Sequence, residues 1–389
     1  MNAQLRAPAS SPPPQARMNF LATFALALPT PSTPAQDATS PEDLAKAVGA
    51  AVREELASPA HLRRVLDRAP AGRPARLLEG LGARLFAQQS TSGGDAILGV
   101  AFDFAKSLGE PETPDSESIE LVARGNLAFD DDAIPHDFTT VMVRARWFGS
   151  TLAEDGEKTR AERIAEVPDP SEAELGETTS TGEGPPDFAA QRRAHRERVF
   201  RTLPTELVWD GELRAGIEAE QDFDSRQIVF GLAAGLRPIA WNPDSALSAW
   251  NAFDAPAAAL RWLAGGEYQT SGLAWPSVVL GFDVVDAAQN DARNAASDDE
   301  SYLRARLEWT YRSEAIAVAG EDLHLSATWR WHQEFDAPAE IKRGELDEIT
   351  WFELGLELPH GLDLTYATGR LPLDERDASV FSLGYRLQF

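Results

Sequence analysis

The chain contains no cysteine. That excludes disulfide frameworks, thiolate metal sites and cysteine nucleophiles together, and it suits a protein that crosses an oxidising compartment unfolded. After the N-terminus no apolar run approaches the 18 or so residues that a membrane-spanning helix needs, which excludes a helical membrane protein. An excess of positive charge is missing too: 36 Lys and Arg stand against 62 Asp and Glu, a net charge of −26. Nucleic acid, which calls for a basic footprint, is therefore not an expected partner. Neither a G-x-S-x-G elbow nor a D-x-[DN]-x-[DN]-G calcium loop occurs. No metal, cofactor or enzymatic activity is expected.

What the chain does have begins with a targeting pattern. Arg17 precedes the apolar run Met18–Leu28, and Thr33 and Ala35 stand before a possible cut ahead of Gln36. Residues 1–35 read as a signal segment. Residues 36–92 read as a short helical region: Ser40 is a candidate N-cap, Pro41 takes the first helical position, and apolar residues recur three and four apart.

From about residue 118 the period changes to two. In TELVWDGELRAGIEAE the positions Leu207, Trp209, Leu213 and Ile217 alternate with Glu206, Asp210, Glu212, Arg214 and Glu218. YLRARLEWTYR and DLHLSATWRWHQ repeat the pattern over lengths beyond the five or six residues of an average soluble strand. Strands of about 9–11 tilted residues cross the hydrocarbon layer. The apolar face also carries Trp147, Trp241, Trp309, Tyr311, Trp331, Tyr385 and Phe389 towards strand ends, as an interfacial girdle requires. These features predict an all-β transmembrane protein, an antiparallel up-and-down β-barrel of about 12 strands over residues 93–389, preceded by the helical region.

The last ten residues, VFSLGYRLQF, put Phe381, Leu383, Tyr385, Leu387 and Phe389 on one face. This ending resembles the C-terminal signature of Gram-negative outer-membrane β-barrel proteins. The likeness extends to residues 95–389 as architecture and to the last ten as a motif. It implies an outer-membrane location, lipid as surroundings, a periplasmic C-terminus, and a terminal strand whose Tyr385, Leu387 and Phe389 are read by the barrel-assembly machinery. Counting back from that end, with DAILGVAFDFA at 95–105 as the first strand and another strand starting after Pro256, puts every long connection outside. The acid-rich segment 151–204 becomes a long extracellular loop, with partner binding or a spacer role as alternatives.

The face turned from lipid carries the chemistry. The alternation aims Arg144, Arg146, Arg214, Arg237, Arg261, Arg304, Arg306, Arg330, His324 and His332 into the lumen, together with Glu212, Glu218, Glu308, Glu353 and Glu357. A cationic wall would then face an anionic one, a field that orients charged solutes. Small twelve-stranded porins for acidic oligosaccharides have arginine-lined lumens and are similar in kind, although the acids here exceed that pattern. Two functions stay open: a porin-like channel for small hydrophilic, charged solutes, and a barrel closed by its own side chains that serves as a structural or docking component of an envelope assembly, with a protein partner or as a homo-oligomer. His324, Ser326 and His332 share a strand face, but residues two apart lie about 7 Å from each other and no third group orients a base, so they read as lumen lining.

Overall fold

A computed structural model describes residues 81–91, 96–107, 118–129, 138–151, 163–164, 166–168, 188–220, 223–296, 301–318, 321–358, 361–374 and 377–387. The signal segment expected at 1–35 lies outside them, as do the helices expected before residue 81 and the terminal Phe389. Twelve strands form one closed ladder. They are β1 Leu81–Ser90, β2 Ile97–Ser107, β3 Ser118–Ala128, β4 Thr139–Ser150, β5 Thr205–Ala219 and β6 Arg226–Ala240. β7 Ser277–Gln289, β8 Ser301–Val318, β9 Glu321–Glu334, β10 Glu348–Glu357, β11 Leu362–Gly369 and β12 Ala378–Leu387 complete it. Each strand pairs antiparallel with its sequence neighbours, and β1 closes the ring on β12 through a register running from Ala83↔Leu387 to Ser90↔Val380. Closure leaves no strand edge unpaired, the condition for a sheet to sit in hydrocarbon.

Alternation decides which face is which. Leu85, Leu98, Val143, Leu213, Phe230, Leu280, Leu303 and Phe381 are exposed around the whole circumference, while their even- or odd-numbered neighbours turn inward. An unbroken apolar belt of this extent belongs in lipid. Its rim is aromatic at the end where β12 finishes. There Trp147 of β4 lies opposite Gly211 of β5, and Trp209 opposite Gly149. A Cβ on Gly211 would come 2.1 Å from the Trp147 indole, so the missing side chain is what lets the ring lie flat on the sheet. Among the described residues no helix is long and apolar enough to cross a membrane.

Three expectations are overturned. First, β1 occupies residues expected to be helical, so the barrel starts at Leu81 rather than at 93. LGARLFAQQS satisfies both periods; pairing with β2 and β12 decides for the strand, because without it two edges would stay open. Second, the strand expected to start after Pro256 does not form. APAAALRWL forms a helix, Ala255–Leu263, with Pro256 in its first turn and helix-favouring Ala and Leu behind it. The strand count of twelve therefore stands with a different membership. Third, the exchange reverses the parity of everything between: the segment 151–204 emerges at the same end as the C-terminus, not opposite it.

Short helices decorate the ends: α1 Phe188–Thr202, α2 Ala246–Ala249, α3 Ala255–Leu263, α4 Asp291–Ala296 and α5 Ala339–Arg343. α1 belongs to 151–204, and α2 and α3 to the connection from β6 to β7. α1 folds back into the barrel mouth, and α3 lies against the outer wall.

Candidate functional site

The lumen is built by what β6 omits. Its central inward positions are Val229, Gly231, Ala233 and Gly235, so the β5 side chains meet those of β7 and β8 across it. Arg304 of β8 donates from Nη1 and Nη2 to the two carboxylate oxygens of Glu218 on β5, both at 3.1 Å. Its Nη2 also reaches Asp283 of β7 at 3.0 Å, and Arg214 donates to the same carboxylate at 2.8 Å. Gln227 completes Glu218 at 2.7 Å. A Cβ at position 231 would stand 2.0 Å from Asp283 Oδ1, so only glycine leaves room for this cluster. Two guanidiniums and two carboxylates, all nearly inaccessible, neutralise one another with bidentate geometry.

A second group lies on the β3–β5 wall. Arg144 donates through Nε to Glu120 at 2.8 Å and approaches Glu212 at 3.7 Å. Arg146 lies 3.5 Å from Asp210 and stacks over the Phe148 ring. Arg306 of β8 comes within 3.8 Å of Glu212. A third group runs round the seam. Arg330 pairs with Glu308 at 3.3 Å and lies over Trp351; Arg312 and Arg386 share Glu357; Arg84 holds Asp363; Arg124 holds Asp103 at 2.9 Å. The expected pair of opposed walls of single sign does not form. Charges alternate round the circumference and pair with near neighbours, since an unpaired charge in so confined a space is costly.

Between the second and third groups lies a cavity of about 400 Å³. Eight arginines and seven carboxylates line it, so the lumen is close to neutral although the whole chain carries −26. Arg144, Arg146, Glu212, Arg214, Glu218, Arg306, Glu308, Arg330, His332, Glu353 and Glu357 are among the lining residues. Arg304 faces inward but is sealed in its ion pairs, 2% exposed, and does not touch the cavity. Arg237 points to the rim, where it donates to the Leu273 carbonyl, and His324 sits in register with Glu314 and Glu357 near the same end. Arg261 lies on α3 outside the barrel, because the strand expected to carry it is a helix. Tyr385 lies on β12 and Leu387 ends it. Ser326 and His332 are six strand residues apart, about 20 Å, too far for a hydrogen bond between them.

Several residues escaped the reading of the sequence. Arg84 depends on recognising β1. Asp283 is one acid in the apolar run SVVLGFDVV, and its inward parity was the available signal.

The mouth at the C-terminal end is occupied. Val199, Phe200 and Leu203, from α1 and the turn after it, pack with Ile164 and Val167 against Phe148, Val208, Ile239 and Trp241 of the inner wall. Trp241, expected in the outer girdle, is buried here and donates its indole N–H to Glu206 at 3.0 Å. One turn before Phe200 and on the same face of α1, Arg196 reaches Glu314 of β8 at 3.8 Å, a second attachment two strands round from β6. At the opposite end α4 is tied down by Arg293, which donates to both oxygens of Glu334 at 2.7 and 2.8 Å and stacks on Tyr302.

No protein-family model matches the chain, and no curated protein does. Similar solved structures include the NanC porin, 7% identical, with 79% of this chain matched to 100% of that one at a TM-score of 0.34. The β domain of the Bordetella autotransporter BrkA matches at 13% identity over 80% of this chain and 99% of its own, with a TM-score of 0.26. A loop-deletion mutant of OmpT, an outer membrane protein of Vibrio cholerae, matches at 10% identity over 79% and 98%, also at 0.26. Scores this low leave the closed ladder and apolar belt of the chain itself as the basis for its assignment as a membrane-spanning barrel.

Proposed function

We propose that the chain is a porin-like barrel of the Gram-negative outer membrane that passes small, charged, hydrophilic solutes. The observation that carries the reading is the cavity lined by arginines and carboxylates in near balance. Such a lining solvates ions and zwitterions of either sign in place of water and gives weak charge selectivity. Lipid surrounds the belt, and the terminal strand with Tyr385, Leu387 and Phe389 is offered to the barrel-assembly machinery. With β12 ending in the periplasm, α1, with Ile164 and Val167 packed beside it, narrows the periplasmic mouth.

The seating of α1 on an apolar cluster favours a second reading, a closed barrel that serves as a docking or structural component. Single-channel recording of the purified full-length protein in planar bilayers separates the two. Small, weakly selective conductance steps are expected for the channel; a folded barrel with no steps would sink it.

A further inference from the structure

The connection between β6 and β7 leaves the lumen rim and folds over the outer wall. Tyr311, Ser313 and Ala315 of β8 share the outward parity of Leu303, yet they are buried because α2, α3 and the turns around them cover them. The clamp is Asp254, which has no exposure. It accepts from Tyr311 OH at 3.2 Å, from the Ser271 N–H at 2.6 Å, from Ser313 Oγ and from Arg261. Arg261 also takes the Glu314 carbonyl, which the bulge between Glu314 and Ile316 releases from the ladder. α3 then stops at Gly265, φ +93°, where the Gly265 and Gly266 N–H groups return to Trp262 and Arg261.

This clamp turns every charge inward. Between Leu247 and Leu263 the sequence holds two charged residues, Asp254 and Arg261, and they face each other and the barrel. The opposite face presents Trp250 at 81% exposure, Leu263 at 72%, Trp262 and Phe253. It is continuous with the belt: Phe253 packs against Trp309 and Trp275 with ring centroids 5.8 Å apart, and Trp309 stacks on Tyr311. Height fits as well. β8 has 18 residues where about 10 cross the hydrocarbon, so its last turns emerge at the lipid–water boundary. Trp and Leu on an otherwise uncharged surface are the side chains that partition into that boundary.

We propose that the α2–α3 segment is a membrane anchor outside the barrel, with Trp250, Phe253, Trp262 and Leu263 inserted into the lipid leaflet at the C-terminal end. The inference rests on the barrel spanning a membrane. It differs from a protein-docking face in that its exposed side chains from Trp250 to Leu263 carry no charge, and the first exposed acid, Glu267, lies beyond α3.

The absence of native cysteine makes the test direct. Trp250→Cys and Leu263→Cys variants of the full chain would carry an environment-sensitive fluorophore, with Phe230→Cys as the belt reference and Glu340→Cys as the aqueous one. Each is reconstituted into phosphatidylethanolamine–phosphatidylglycerol vesicles containing a nitroxide lipid, and folding is checked by heat-modifiable gel mobility. Labels on the Trp250→Cys and Leu263→Cys variants are expected to be shielded from iodide and quenched about two-fold more by a shallow nitroxide than by a deep one. The Phe230→Cys label should respond most to the deep nitroxide. Iodide quenching of the two anchor labels, with the Phe230→Cys label still quenched by lipid, overturns the anchor and leaves the membrane reading intact. Protection from both quenchers together with intermolecular cross-linking assigns the face to a second copy and also overturns it. Loss of lipid quenching at Phe230→Cys as well overturns both.

Discussion

Arg304 and Glu218 meet in a bidentate pair with both contacts at 3.1 Å, although two strands, β6 and β7, stand between β8 and β5. The pair exists because β6 presents only Val229, Gly231, Ala233 and Gly235 inward beyond Gln227, which itself binds Glu218. Both groups have lost nearly all contact with water, so their attraction offsets a large desolvation cost rather than adding freely to stability. Removing Glu218 leaves Arg304 buried with Asp283 alone, a carboxylate that Arg214 already holds. Glu218→Gln should therefore destabilise the folded barrel by about 3–5 kcal/mol. A double Glu218→Leu, Arg304→Met variant should be markedly more stable than Glu218→Gln. Urea titration of the vesicle-folded protein, followed by gel mobility, measures both, and equal midpoints for wild type and Glu218→Gln would show the pair to be energetically idle.

How far the sequence disclosed this arrangement depends on the range of the interaction. Inward and outward parity was legible from β3 to β12, because a period of two is local and survives in any register. Arg304, Glu218 and Arg214 could each be aimed at the lumen, but not at one another, since the pairing depends on small residues in β6. The charged walls therefore looked opposed when they are interleaved. β1 was hidden because LGARLFAQQS suits a helix as well as a strand, and its deciding partner lies some 300 residues away, at the other end of the chain. That error and the misread APAAALRWL cancelled in the strand count, and the second alone put 151–204 at the wrong end.

The closure of β1 on β12 can be tested by truncation. Removing residues up to Gly80 leaves every ladder contact in place, and the product should fold in detergent or vesicles to the heat-modifiable form. Removing residues up to Ser90 opens the β2 and β12 edges and strips the Arg84 partner from Asp363. In lipid each unsatisfied backbone group costs several kcal/mol, so this shorter chain should not fold. Equal folding yields from the two truncations would show that β1 is dispensable.

Selectivity should respond to solvated lumen charges rather than to sealed ones. Arg124 lines the cavity and pairs with Asp103 while both side chains stay about one-third exposed, at 35% and 28%. Losing such a pair costs about 1 kcal/mol or less, so Arg124→Glu should fold normally. The same change takes the cavity lining from eight arginines and seven carboxylates to seven and eight. In a salt gradient the reversal potential should move towards the cation side relative to wild type. An unchanged reversal potential, with conductance intact, would mean that ions do not pass this cavity.

The mouth makes the sharpest demand on the channel reading. α1 is held by apolar packing of Val199, Phe200 and Leu203 against the β4–β6 wall, and one turn earlier by Arg196 with Glu314. The two attachments differ in strength. The apolar cluster contains several large, fully buried side chains, each contributing about 1.5–3 kcal/mol, whereas the ion pair is half-exposed at Glu314 and contributes about 1 kcal/mol or less. The turn that carries Arg196, and the helix before it, should then loosen more readily than the turn that carries Phe200. Arg196→Glu sets two like charges together at that turn and should lengthen open events in single-channel records without changing the urea midpoint. Replacing residues 154–201 with a short Gly-Ser linker should raise conductance several-fold, since the lumen beyond the helix is lined by solvated charge. If the deletion variant folds and its conductance equals that of wild type, α1 is not the constriction, and the narrowest point must lie within the ion-paired lumen itself.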